Sequence, residues 1–185
     1  VSGRKEMPIG ELIENLEEVW VARMLYYKVA HFEAQKRYSK VEENRSSVLW
    51  NTVLEELEAG KWQSSGLVRM YYALLKLVKE PQVSENYDEA KALLTSMGDK
   101  VERSEAEQMY TMALNHCIRL LNGGEGRFLG EIFHLYEEML SRSVLIIGNP
   151  EGAWHFKSIV SSAVHFKSYD WARKFIKEYG PELPR

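Results

Sequence analysis

Apolar residues recur along the chain at spacings of three and four, and the alternation typical of β-strands appears nowhere for long. Proline is absent between Pro8 and Pro81 and again between Pro81 and Pro150, and Leu, Glu, Ala, Lys, Met and Arg dominate these stretches. Such residues favour helices, so the pattern predicts an all-α protein. Start and stop signals divide it into eight helices, at about 11–38, 47–59, 65–79, 87–98, 104–122, 127–142, 150–166 and 169–179.

Local capping signals support several of these boundaries. Asn149 followed by Pro150 predicts the start of the seventh helix, because the missing N–H of a proline costs nothing at the first helical position. Residues 86–89 and 104–107 have the pattern of capping boxes. We expect residues 1–10 to be disordered or extended and residues 11–185 to form a single helical-repeat domain. This interpretation leaves open a longer repeat protein and a removed leader.

The composition is that of an ordinary globular domain, with 45% hydrophobic and 28% charged residues in a chain of 185. The 24 basic and 27 acidic side chains give a net charge of −3, so no strong basic field attracts nucleic acid or anionic lipid. No apolar run approaches the length of a membrane span, which is about 18 residues or more. We therefore expect a cytoplasmic protein with no membrane partner, no nucleic-acid partner and no cofactor.

Two segments of the chain echo each other. Both have the form Tyr-Asp-x-Ala, at 87–90 and at 169–172, and each follows a hydrophobic helix. A small residue at this place lets the second helix of a hairpin pack closely against the first. The residues that we interpret as structural repeat positions are Tyr87, Ala90, Tyr169 and Ala172.

The last pair of helices carries large and small residues in the order of a known repeat: Phe156, Ile159, Val160 and Ala163, then Ala172, Ile176 and Tyr179, then Pro184. On these residues, the chain resembles the tetratricopeptide-like helical-repeat superfamily over about 65–185, with degenerate repeats, and is similar to bacterial helical-repeat proteins. It departs from the family at Val160, where a small residue is usual, and at Tyr179, where alanine is usual. The resemblance implies antiparallel helix hairpins of about 35 to 45 residues, stacked as a short right-handed solenoid.

The resemblance also implies a concave ligand-facing surface. By analogy with the family, Trp154, Lys157 and Ser161 on the seventh helix would line it. The alternative is that Trp154, which lies off the apolar stripe of its helix, packs against the preceding hairpin.

No pattern in the sequence predicts a catalytic or metal site. No two of the five histidines (His31, His116, His134, His155 and His165) have the i, i+4 spacing of a metal-binding pair on a helix. The one cysteine, Cys117, excludes an internal disulfide and lies on an apolar stripe, which predicts a small buried residue. The glycine-rich residues 123–126 lack the strand, lysine and Ser/Thr of a phosphate-binding loop, so we interpret them as a turn between helices.

These observations favour a non-enzymatic scaffold that binds a protein or peptide in a groove between stacked hairpins. The alternatives are an RNA-binding module of the pentatricopeptide kind and a helical enzyme with a cryptic site. We also expect self-association through the C-terminal edge. The eighth helix has more apolar surface than packing on the seventh helix alone should bury, at Trp171, Phe175, Ile176 and Tyr179.

Overall fold

The computed structural model describes residues 8–37, 48–97 and 101–183. These residues are 81% helical and contain no strand, which confirms the prediction of an all-α protein. Eight α-helices lie within them: α1 (Ile9–Arg37), α2 (Val48–Glu58), α3 (Gly66–Lys79), α4 (Ser84–Met97), α5 (Arg103–Asn122), α6 (Phe128–Ser141), α7 (Pro150–His165) and α8 (Tyr169–Tyr179). A 3-10 turn, Gly180–Glu182, follows α8.

Most helix ends agree with the sequence pattern within two residues, but some predictions fall outside the described residues. These are the proposed ends at 38, 47 and 98, the repeat position Pro184, and residues 1–7 of the segment expected to be extended. Ile9 and Gly10 already belong to α1. The single domain at 11–185 stays a prediction.

The two predicted capping boxes are wrong. Helix α4 begins at Ser84, so Asn86 lies within its first turn, with its side-chain amide donating to the carbonyl of Glu80 at 3.4 Å. The carbonyl of Glu102 accepts the first backbone hydrogen bonds of α5, which places Ser104 inside that helix. By contrast, the cap before α7 is confirmed, because the Asn149 side chain accepts from the backbone N–H of Gly152 at 2.6 Å.

The chain divides into two compact units, residues 1–93 and 94–185, and each is described by itself. In the first unit, α1 packs against α3, which is the most buried helix of the unit. The α1 side chains buried in this core are Val21, Ala22, Leu25 and Val29. A second series of apolar residues at helical spacing on α1 is exposed: Leu12, Leu16, Val19, Trp20 and Tyr27.

In the second unit, α5 packs on α6, α6 on α7, and α7 on α8. Three residues connect α7 to α8, so these two packed helices run antiparallel. They meet where both carry alanine: Ala163, Ala172 and Phe133 form one buried cluster. Ala172 is therefore buried together with Ala163, and its role as a structural repeat position stays a prediction. Glycine serves a similar purpose on α6, where a Cβ on Gly130 would lie 3.1 Å from the Phe166 ring.

The two Tyr-Asp-x-Ala segments are not equivalent in the structure. Ala90 and Ala172 are both buried, but Tyr87 is buried while Tyr169 is 52% exposed. Tyr169 is the first residue of α8, whereas Tyr87 lies one turn inside α4. The tyrosine echo therefore does not mark the same structural position in the two helices.

The aromatic residues of α8 are largely used within the second unit. Trp171 stacks on Phe175 at 5.2 Å between ring centroids, and Phe175 contacts Tyr179 at 4.9 Å. Phe133 of α6 and Phe156 of α7 pack against this row. More of the apolar surface of α8 is thus buried than packing on α7 alone provides, because α6 also contacts it.

Candidate functional site

An open groove of about 750 Å³ lies between α5, α6 and α7 in the second unit. Its floor is apolar and comes from α5 and α6: Ile118, Leu121, Leu129, Ile132 and Tyr136. One side is formed by α7, whose lining residues are mostly small or polar: Ala153, Trp154, Lys157, Ser158, Ser161, Ser162 and His165.

The structure brings together all three of the residues expected on a concave surface. Trp154, Lys157 and Ser161 are three and four residues apart, which places them along one face of α7, and each lines the groove. Trp154 is 67% exposed. The alternative, in which this side chain is packed away against the preceding hairpin, is not what the structure contains. Whether the three residues bind a ligand stays a prediction.

The position of α7 depends on a close backbone approach at Gly152, which the sequence analysis missed. Gly152 is buried in the first turn, and a Cβ there would overlap the carbonyl oxygen of Ile146 and lie 2.6 Å from the Cα of Ile147. The helix start is therefore held against the preceding loop by two features, the Asn149 cap and the missing side chain. A glycine inside a helix is a signal for such an approach, since it otherwise lowers helix stability.

The floor of the groove contains one buried polar group, the phenol of Tyr136. Its oxygen lies 3.3 Å from Nδ1 of His155. Burial raises the pKa of Tyr136 to about 12, opposed by a hydrogen bond with Ser158 that lowers it. The phenol therefore keeps its proton at neutral pH and presents a neutral hydrogen-bonding group in an otherwise apolar floor.

Ser161 and His165 are the residues of the groove that most resemble a nucleophile and its base. Nδ1 of His165 lies 2.7 Å from the Ser161 carbonyl oxygen, to which it donates, and 3.3 Å from the Ser161 hydroxyl. A ring nitrogen that donates to a carbonyl cannot accept the proton of the hydroxyl beside it. The arrangement fixes the imidazole on the helix surface and does not activate the serine.

The electrostatic character of the groove comes from Lys157. Among the described residues that line it, this is the one permanently charged side chain, and none carries a carboxylate. The groove thus combines an apolar floor, serine hydroxyls and a single cation.

A second hollow, of about 530 Å³, lies between α6 and α8 and is richer in charge. Some of these charged groups have partners: His134 lies 3.1 Å from Glu137, and Glu138 forms an ion pair with Arg142 at 3.0 Å. The stacked aromatic row of α8 forms its other side. This hollow is smaller than the groove along α7, and its lining is more charged and less apolar.

The cysteine, the histidine next to it and the glycine-rich turn lie in ordinary structural positions. Cys117 is fully buried, as expected, and His116 is buried against Phe128 with ring centroids 6.0 Å apart. The turn at 123–126 is also confirmed, with Gly124 at a φ of 100°.

In the described part of the chain, no group of three or more His, Cys, Asp or Glu side chains is placed to hold a metal ion. Within the same residues, no helix has both the length and the apolar character needed to cross a bilayer.

Comparison with known proteins assigns this fold and groove to no family. No family model, no curated protein and no solved structure matches the chain.

Proposed function

We propose that this protein is a non-enzymatic interaction module, built from tetratricopeptide-like hairpins in a short right-handed solenoid, and that the groove between α5, α6 and α7 binds a peptide segment of a partner protein. The observation that carries the proposal is the exposed Trp154 beside an open apolar floor. A large aromatic side chain left in solvent at the edge of an apolar groove is typical of residues that dominate the energy of an interface.

The groove also defines the chemistry of the peptide. Its apolar floor suits one or two large aliphatic or aromatic side chains, packed between Ile132 and Trp154. Lys157 favours a carboxylate on the peptide, because no acidic group among the described lining residues competes for its ammonium. The hydroxyls of Ser158 and Ser161 supply partners for the peptide backbone.

One observation favours a second candidate, single-stranded RNA. An exposed tryptophan beside a lysine is also the arrangement on which a base stacks while its phosphate is neutralised. The net charge of −3 works against this candidate.

The test is selection of a random peptide library on the intact protein, followed by titration calorimetry of the enriched peptides. We expect peptides with a large apolar residue near an acidic one. Trp154→Ala should weaken their binding by about tenfold or more, as for a central interface residue, and Lys157→Glu should remove the preference for acid.

The matched controls change exposed residues of the second unit that lie away from the groove. Tyr169→Ala removes an aromatic ring, and Lys177→Glu reverses a lysine of α8. Both should bind as the parent protein does. If the enriched peptides bind the Trp154→Ala and Lys157→Glu variants as tightly as they bind the parent protein, the proposal is contradicted. If no peptide is enriched, and the protein instead binds a fluorescent oligouridylate that the Trp154→Ala variant does not bind, the ligand of the groove is RNA and not a peptide.

A further inference from the structure

The hollow between α6 and α8, here called the α8 hollow, is separate from the groove along α7 and differs from it in chemistry. Its volume of about 530 Å³ lies in the range of ligand pockets. Its acidic and aromatic lining residues are Glu137, Glu138, Glu178, Trp171, Phe175 and Tyr179. Carboxylates and aromatic rings share one property, which is that both attract cations.

The aromatic wall of the α8 hollow is held in place by packing within α8. Phe175 is buried, and Trp171 stacks on it with the two ring planes 7° apart. Tyr179 contacts Phe175 from the next turn of the helix, at 4.9 Å between ring centroids. The face of an aromatic ring carries partial negative charge. A cation that enters the hollow therefore meets rings whose positions are already fixed.

Glu178 is the carboxylate of the hollow that has no cationic partner. Glu137 lies 3.1 Å from His134, and Glu138 pairs with Arg142, but Glu178 forms no ion pair with any residue that the structure describes. Burial raises the pKa of the neighbouring Tyr179, and the negative charges of Glu178 and Glu182 raise it further. This end of the hollow is therefore at negative potential.

Two permanent cations lie in or beside the hollow, and they do not cancel its negative charge. Arg142 pairs with Glu138 and is held toward α4, where its guanidinium donates to a backbone carbonyl at 2.9 Å. Lys174 lines the hollow one helical turn before Glu178. They stand against four carboxylates: Glu137, Glu138, Glu178 and Glu182. The balance favours a cationic ligand over an anionic one.

The C-terminal ends of two helices border the same hollow. Ser141 is the last residue of α6 and Tyr179 is the last residue of α8, and both line it. The C-terminal end of a helix carries partial negative charge, which favours a cation beside it. Helix α6 has no basic residue in its last turn to offset this charge. The field of the helix ends therefore has the same sign as that of the carboxylates.

We propose that the α8 hollow binds an arginine side chain of a partner protein. A guanidinium suits this lining better than an ammonium, because it is planar, stacks on aromatic rings and forms two parallel hydrogen bonds with a carboxylate. In the complex, the guanidinium donates to Glu178 and lies against the ring of Tyr179, while its methylene stem packs along Trp171. This site is independent of the groove along α7.

The test is an NMR titration of the intact, isotope-labelled protein with the peptide acetyl-Gly-Arg-Gly-amide. The indole N–H signal of Trp171 and the backbone signals of residues 137–141 and 174–179 should shift with one common dissociation constant. A peptide with lysine in place of arginine should bind several times more weakly. A peptide with citrulline, which has nearly the shape of arginine without its charge, should cause no shift.

Three variants change the site in different directions. Glu178→Gln removes the unpaired carboxylate and should weaken binding of the arginine peptide about twofold to fivefold, the effect of an exposed ion pair. Tyr179→Leu keeps an apolar side chain without the ring and should weaken it by about the same factor. Lys174→Gln removes a like charge and should strengthen binding, which a merely structural role of this lysine would not do.

The matched control is Glu125→Gln, which removes an exposed carboxylate from the turn between α5 and α6. It changes the net charge by the same amount as Glu178→Gln and should bind the peptide as the parent protein does. Circular dichroism should show the same helix content for all four variants, because Glu125, Lys174 and Glu178 are exposed and Tyr179 is the last residue of its helix.

Four outcomes would overturn the proposal. Equal losses in Glu125→Gln and Glu178→Gln would mean that overall charge alone attracts the peptide. Equal shifts with the arginine and citrulline peptides would remove the role of the cation. Shifts caused by acetyl-Gly-Glu-Gly-amide, or by no peptide, would exclude a site for arginine. If the same signals move when the protein alone is diluted, the hollow is covered by a second copy, at the C-terminal edge where the sequence predicts self-association.

Discussion

A single methyl group at Gly152 should disturb the start of α7. An alanine Cβ there would overlap the carbonyl oxygen of Ile146 and lie 2.6 Å from the Cα of Ile147, about 0.8 Å short of the closest ordinary contact, 3.4 Å. All of these atoms are backbone, so no side chain can rotate away. The loop, the helix or both must move.

The magnitude follows from opposing effects. Alanine in place of glycine within a helix gains up to about 1 kcal/mol. Overpacking costs about 1–3 kcal/mol where neighbours can adjust, and more where they are backbone. Movement of the loop also strains the Asn149 cap on the Gly152 N–H, a bond worth about 1 kcal/mol. We therefore expect Gly152→Ala to lose about 2–3 kcal/mol of the free energy of unfolding, or about 4–12 °C in melting temperature.

Two other glycines supply controls with the same chemical change. A Cβ on Gly66, at the start of α3, meets no atom within 4 Å, so Gly66→Ala should be neutral or slightly stabilising. On α6, a Cβ on Gly130 meets only the Phe166 ring, which is a side chain and can shift, so Gly130→Ala should cost about 1 kcal/mol. Urea unfolding followed by circular dichroism, together with calorimetry, measures all three.

The expected order of stability is Gly66→Ala, then Gly130→Ala, then Gly152→Ala. If Gly152→Ala is as stable as Gly66→Ala, the close approach of α7 to its preceding loop is refuted, and with it the account of how the groove wall is positioned.

Two further predictions concern groups near the groove. Because Tyr136 releases its proton near pH 12 when folded and near 10 when unfolded, the folded state binds more protons in this interval, and stability should fall with pH by up to about 1.4 kcal/mol per unit. Tyr136→Phe should remove that part of the decline, so unfolding measured at pH 9, 10 and 11 should show a smaller slope, and an unchanged slope would disprove the assignment. Asn149→Ala should cost about 1 kcal/mol by removing the cap of α7, whereas Ser104→Ala, inside α5, should be nearly neutral; equal losses would mean that the cap does not act as described.

Local chemistry alone was enough to predict the helices. The number of helices, the turn at Gly124, the cap at Asn149 and the burial of Cys117 depend on interactions between residues close in sequence, or on a periodicity that one helix carries by itself. Two helix starts were misplaced for a related reason. A capping pattern is a local preference, and at Asn86 and Ser104 turns formed by the preceding residues begin the helix earlier.

The site could be predicted only in part. The spacing of Trp154, Lys157 and Ser161 places them on one face of α7, and that much is visible in the sequence. That this face borders an open groove depends on where α5 and α6 lie, and no periodicity within α7 contains that information. The role of Gly152 also could not be predicted from α7 alone, because the atoms that exclude a side chain there come from the preceding loop.

Helix α1 shows which features the sequence determines and which features only the tertiary structure decides. Its sequence determines two apolar faces, and both satisfy helical periodicity equally well. Packing against α3 decides that Leu25 is buried and Leu16 is exposed. A pattern of apolar residues specifies that a helix has a face to bury, but only the tertiary structure decides which neighbour covers it, because burial is a property of pairs of surfaces distant in sequence.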